Sequence, residues 1–442
     1  MTLKKFLLGA LIGAVSSTSI ATAAFAQEKS QFFPLLTFRT GPYAPSGVPW
    51  ADGFVDYFKL VNTKGGINGV KVLWEECETG YATDRGVECY ERLKGANGGA
   101  TVFQTMSTGI TFALTAKAPE DKIPILTPGY GLSESADGEV FKWSFPLAGT
   151  HWASADVQLQ YVASKVGGLD KLKGKKITLL YHDSPYGKEA IPVLTKRAEM
   201  HGFDLSTIAV THPGVDQKSA WLQIRQSRPD FVLLWGWGIM NSTALKEAKA
   251  TGFPATKIVG VWPSGSESDV MGVEGAEGYS AVLLLPGPGA NSKIAKEIRT
   301  TLHANGQGTG PEKEVGEALY MRGLMNAMFA VEGVRRAQEQ YGMGKVVTSE
   351  QARWGYENLA IDEARLKALG IEDIMRPVMT TCADHMGPSA ARAYTWDGKV
   401  WELSSGWLQA DMDLLGPMVK AAADKYAADK KLTRRSAEDC RP

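Results

Sequence analysis

The chain is poor in several things, and each shortage closes a class of function. Neither sign of charge is in surplus, with 48 Lys and Arg against 48 Asp and Glu in 442 residues. The electrostatic footprint of a nucleic-acid or polyanion binder is therefore missing, and no nucleic-acid partner is expected. Cysteine is scarce: Cys77, Cys89, Cys382 and Cys440, with no C-x-x-C pair, beside six scattered histidines. That is no pattern for a metal site, and Asp384-His385 near Cys382 reads as a surface turn. Beyond residue 26 no apolar run approaches the roughly 18 residues that a membrane-spanning helix needs. The catalytic signatures G-x-S-x-G, the P-loop and H-E-x-x-H do not occur. Gly272 to Gly278, GVEGAEG, is glycine-rich but lacks the strand-to-helix entry of a dinucleotide fingerprint. His182-Asp183 ends a strand and reads as a turn with an Asp cap rather than an acid–base pair. No catalytic residue and no cofactor is expected, and an exported α/β enzyme is the least favoured alternative.

What is present begins with a leader. Lys4 and Lys5 precede the apolar run Phe6 to Val15, and Ala24-Phe25-Ala26 forms a small-x-small cleavage site. Residues 1–26 are expected to be a secretory signal peptide, with export to the periplasm. An exported chain meets an oxidising compartment, where four cysteines allow three pairings. Cys77 ends a strand and Cys89 sits on the next helix, which favours a local bridge. Cys382 with Cys440 would then tie down the carboxyl tail.

The mature chain alternates strands and helices. Phe33 to Phe38 is a buried strand, Gly41 to Pro49 a turn-rich loop, and a helix begins near Trp50 to Asp52. Gly65-Gly66 stops that helix, and Val70 to Trp74 is the next strand. Thr101 to Gln104 and Ile123 to Thr127 continue the series. After residue 151 the rhythm restarts, with strands at Ile177–Tyr181, Leu205–Val210, Phe231–Trp235 and Ile258–Trp262. The expected fold class is α/β, with two doubly wound lobes of parallel strands. Ligands of such sheets sit in the crevice beyond the strands' carboxyl ends. Tyr43 and Trp50 are the first residues placed there, and the loop Thr105-Met106-Ser107-Thr108-Gly109 follows. Ser107 opens a helix, whose N-terminus suits a carboxylate; it could equally be only the cap of that helix.

The PSG loop (Pro45-Ser46-Gly47), a helix ending in N-x-x-GGING (Asn62 to Gly69) and VKVLWEE (Val70 to Glu76) together resemble the amino-terminal part of type I periplasmic solute-binding proteins. These are the receptors of ABC importers of the branched-chain amino acid class. The resemblance covers roughly residues 33–410. It implies two lobes joined by a hinge that the chain crosses three times: 27–148 with 279–370, and 149–278 with 371–420. Gly278 to Leu285 is expected to cross back toward the first lobe, and 421–442 is a helical tail outside the resemblance. Ser107 would bind the ligand's carboxylate, and Gly129, Tyr130 and Gly131 would form the second ligand loop. Tyr186 matches the tyrosine of the family's HD-x-x-x-YG segment, with one residue fewer in the spacing here. Trp235, Trp237 and Trp262 fall in the remaining cleft loops. Single strand-end tryptophans are usually core residues, but four of the chain's twelve fall in three predicted cleft loops.

One departure bears on the ligand. The family's amino-acid receptors supply a carboxylate for the ligand ammonium where this chain has Trp262, and the nearest acid is Glu267. A desolvated ammonium without a counter-charge costs several kcal/mol. The expected ligand is thus a small molecule with a carboxylate head and an apolar body, a small aromatic acid fitting best. A branched-chain amino acid or amide receptor, or a sensor that presents its ligand to a membrane receptor, is the alternative. Hinge closure would create the surface read by ABC permease subunits, and a monomer is expected.

Overall fold

A computed structural model describes residues 1–2, 29–284, 287–387, 389–436 and 438–440. The expected leader from residue 3 onward, with its cleavage site, lies outside the described residues.

Two parallel sheets organise the chain. In the first, Ser30–Thr37 pairs with Lys71–Glu78, and Ile125–Leu126 with Ser144–Phe145. Single bridges, Leu35 to Gln104 and Phe103 to Ile125, join these pairs through the segment at 103–104. Gln31 to Thr37 is buried at every position, as expected of a parallel strand covered on both faces. The second sheet runs Trp401–Leu403, Ala390–Trp396, Ser280–Leu283, Ile258–Val261, Phe231–Trp235, Lys176–His182, Asp204–Val210. Its strands from 176 to 283 are parallel, and Ala390–Trp396 adds antiparallel to Ser280–Leu283. In both sheets the first strand lies between the second and the third, so each has a switch point facing the same cleft.

The structure corrects two boundaries. The first helix spans Ala44–Thr63, starting some six residues before the expected Trp50. Pro45 sits at its start, where the missing N–H costs nothing, and Pro49 is accommodated inside it. Gly278 to Leu285 does not cross at once: Ser280–Leu283 is a buried strand of the second sheet. An apolar run with partners on both edges gains more as a central strand than as a connection.

The helix Ala44–Thr63 packs against the long helix Ala318–Tyr341 at unusually close range. A Cβ on Gly53 would lie 1.9 Å from the Tyr320 carbonyl oxygen, and one on Gly323 1.8 Å from that of Trp50. Glycine at both positions lets the backbones touch and brings Trp50 beside Arg322. Cys77 is bonded to Cys89, and Cys382 to Cys440. The helix Met412–Lys430 leaves the second sheet, where Arg197 bridges its cap Asp411 to Asp156. It ends on the first lobe, with Ala423 and Tyr426 against Leu132 and Phe141. Arg434 then meets Asp137 and Glu139. The tail is thus a further connection between the lobes.

Candidate functional site

The loops at the carboxyl ends of both sheets meet around one narrow cavity. From the first lobe come Trp50, Tyr81, Met106, Ser107, Thr108 and Tyr130; from the second, His151, Tyr186, Trp237, Trp262 and Pro263. Tyr81 and Met106 both adopt left-handed backbone, φ 65° and 48°. Such residues are held at a cost of order 1–3 kcal/mol and cluster at ligand clamps. The Met106 N–H donates to the Tyr130 hydroxyl at 3.0 Å, fastening two cleft loops together. Ser107 caps its helix by accepting from the Ile110 N–H and also lines the cavity.

Three indoles form the core of the wall. Trp50 and Trp262 have ring centroids 5.7 Å apart, Trp237 and Trp262 5.8 Å, Trp50 and Trp237 6.1 Å, with planes steeply inclined to one another. Edge-to-face packing of this kind contributes about 0.5–1.5 kcal/mol per pair beyond the area buried. Trp50 belongs to the first lobe and the other two to the second, so the triangle spans the cleft. A direct hydrogen bond does the same, from Trp262 Nε1 to the Gly129 carbonyl at 3.0 Å.

The sequence pattern of the family described as "Periplasmic binding protein" matches residues 30–400. The chain is a periplasmic binding protein. A crystal structure described as an ABC transporter permease from the Pseudomonas fluorescens group is 41% identical, with a TM-score of 0.86 over 93% of this chain and all of its own. Leu/Ile/Val-binding protein homolog 8 of Brucella abortus is 27% identical over 267 residues, 59% of this chain. The match spans 64% of that curated relative's length. The fold is shared with a Thermus thermophilus branched-chain amino acid ABC transporter protein holding valine (20% identity, TM-score 0.68, 86% and 97% of the two chains). It is also shared with an R. palustris solute-binding protein in complex with benzoate (17%, 0.67, 86% and 98%).

In this binding protein the residues expected at the ligand divide into two groups. Trp50, Met106, Ser107, Tyr130, Tyr186, Trp237 and Trp262 line the cavity. Tyr43, Thr105, Gly129, Gly131 and Trp235 lie outside the lining. Tyr43 reaches across the cleft instead, its hydroxyl 2.7 Å from His182 Nε2 and in contact with His212 Nδ1. Thr105 braces its own loop through Thr111. Gly129 presents its carbonyl to Trp262, and the Gly131 N–H donates to the Thr108 hydroxyl. Trp235 is still on its strand, stacked behind Tyr186 and donating to Gln158 at 2.7 Å. Only after Gly236 does the chain turn and bring Trp237 into the cleft.

Glu267 does not line this cavity. Its carboxylate accepts the Ala318 N–H at 2.9 Å and is pushed up to about 8 by burial. Among the described residues the lining carries no acid. Trp237 Nε1 and His151 Nδ1 are buried without partners. The Thr108 hydroxyl also lies 3.0 Å from His151 Nε2, and the imidazole tautomer sets which of the two donates. His151 is neutral, held down at about 3 by burial and by Arg322.

Sequence reading missed Tyr81, Thr108, His151, Pro263 and Arg322. Arg322 is 3% exposed. Its guanidinium carbon lies 3.2 Å from the Trp262 ring centroid and 5.5 Å from that of Trp50. Nη2 donates to the Pro128 carbonyl at 2.6 Å, and Nε has no partner. Burial lowers its pKa strongly. The available signal was one cation in an otherwise apolar stretch, ALYMRGLMNAMF.

Proposed function

We propose that this protein is the substrate-binding component of an ABC importer, working in the periplasm and closing over a small organic acid with an aromatic or other apolar body. The observation that carries the ligand class is the lining: aromatic walls, a buried indole N–H without a partner, and no carboxylate. A zwitterionic amino acid would bring an ammonium to a cavity whose described lining holds no counter-charge. Flat aromatic acids match both the walls and the free indole N–H. Family membership supports delivery to permease subunits, and benzoate in one structural neighbour is consistent with the ligand class.

A thermal-shift screen of residues 27–442 against amino acids, aromatic acids, aliphatic acids and amides tests this reading. A ligand at 100 times its dissociation constant should stabilise the fold by about 2.7 kcal/mol. Stabilisation by benzoate-like acids and none by leucine is expected. Stabilisation by leucine or valine alone overturns the ligand class.

A further inference from the structure

A cation stands behind the cavity wall. Arg322 is buried on the long helix Ala318–Tyr341 directly behind the indole wall, and among the described residues no carboxylate reaches it. It stacks on two indole faces, donates to one carbonyl and lies near Tyr130, Tyr186 and His151, and its Nε is unpaired. A buried guanidinium left in this state is costly unless an anion approaches. The close packing at Gly53 and Gly323 is what puts it there. Stacking on Trp262 couples it to the cavity, since that ring has the guanidinium over one face and lines the ligand space.

We propose that Arg322 is the charge-selecting residue of the site, supplying the positive potential that makes the binding protein prefer an anionic head group over the neutral group of the same shape. This rests on the acid-binding reading above. Arg322 acts from behind Trp262, as a positioning and specificity residue. A donor such as Trp237 Nε1 would serve an amide carbonyl nearly as well as a carboxylate. Only the cation separates the two.

The experiment is isothermal titration of the chain and its Arg322→Met and Arg322→Lys variants with matched pairs: benzoate and benzamide, hexanoate and hexanamide, and leucine as the zwitterion. Wild type should prefer the acid of a pair. Arg322→Met should lose about 100-fold for the acid, the scale of one unit charge at about 6 Å in a protein interior. Its affinity for the amide should hardly change, and Arg322→Lys should recover part of the preference. A merely structural arginine would weaken acid and amide together. If Arg322→Met does not fold, Arg322→Gln takes its place in the same titrations. An unchanged acid-to-amide ratio in the neutral variant overturns this inference and leaves the acid-binding reading standing. Acid selectivity confined to hexanoate supports Arg322 while removing the aromatic part of that reading. A wild type that prefers amides or leucine, or binds no acid in the panel, overturns both.

Discussion

Trp262 is engaged on a face and at its edge. Arg322 covers the face, Nε1 holds Gly129 of the opposite lobe, and the ring walls the cavity. Trp262→Phe keeps an aromatic ring but deletes the cross-cleft hydrogen bond, which contributes on the order of 1 kcal/mol. The expected result is about tenfold weaker binding of the best acid in calorimetry, with little change in the melting temperature of the protein alone. Tyr43→Phe acts at a different contact. It leaves His182 and His212 without the hydroxyl they share. It should shift the chain toward an open shape by about 1–2 kcal/mol, seen as a larger radius of gyration in small-angle scattering. Residues such as Tyr43 and Trp235 show where reading the sequence stops. Position beyond a strand end tells which loop a side chain belongs to. It does not tell whether the side chain points into the crevice, across it or back into the core, because that depends on where Gly236 turns the chain and where His182 stands. Tyr81 was missed for a related reason: it follows the strand Lys71–Glu78, in a loop that sequence reading did not assign to the crevice.

Strands with unbroken apolar runs were legible because burial on both faces leaves little else they could be. Phe231–Trp235 appears at the expected limits. Proline-containing and composite elements were less so. The first helix reads as a loop because Pro45 and Pro49 mask its opening turns. Ser280–Leu283 gives no sign of which sheet it joins, since its partners are 21 and more than 100 residues away. The disulfides act at this scale too. Cys77 and Cys89 close a short loop, separation 12, and Cys382 with Cys440 a longer one, separation 58. The chain-entropy model gives about 3 and about 4 kcal/mol. Paired Ser substitution at Cys382 and Cys440 should therefore lower stability in denaturant melts more than at Cys77 and Cys89, and a reductant should have no further effect on the quadruple variant.

At the scale of the molecule, two carboxyls sit at the junction of the lobes. Glu189 accepts from the Ser133 hydroxyl and N–H, and Glu267 from the Ala318 N–H. Both residues keep some exposed surface, yet burial of the carboxyl raises each from an ordinary 4.5 to about 8. A group with a raised folded-state value binds its proton more tightly in the native protein. Its contribution is complete below about 4.5 and is lost as pH rises toward 8. The protein should melt higher at pH 5.5 than at pH 9, by roughly 1–2 kcal/mol per group after allowance for screening. Glu189→Gln with Glu267→Gln should flatten that part of the profile. A wild-type profile unchanged by the double substitution would show that neither carboxyl is protonated in the folded state.

The three-indole triangle has a consequence of an optical kind. Trp50 rides on one lobe, Trp237 and Trp262 on the other, all within about 6 Å. Chromophores so near one another share their ultraviolet transitions, and an arginine stacked on one of them shifts its emission. Any separation of the lobes pulls Trp50 away from its partners. The near-ultraviolet circular dichroism of the unlabelled protein is thus a built-in gauge of how far the cleft is open.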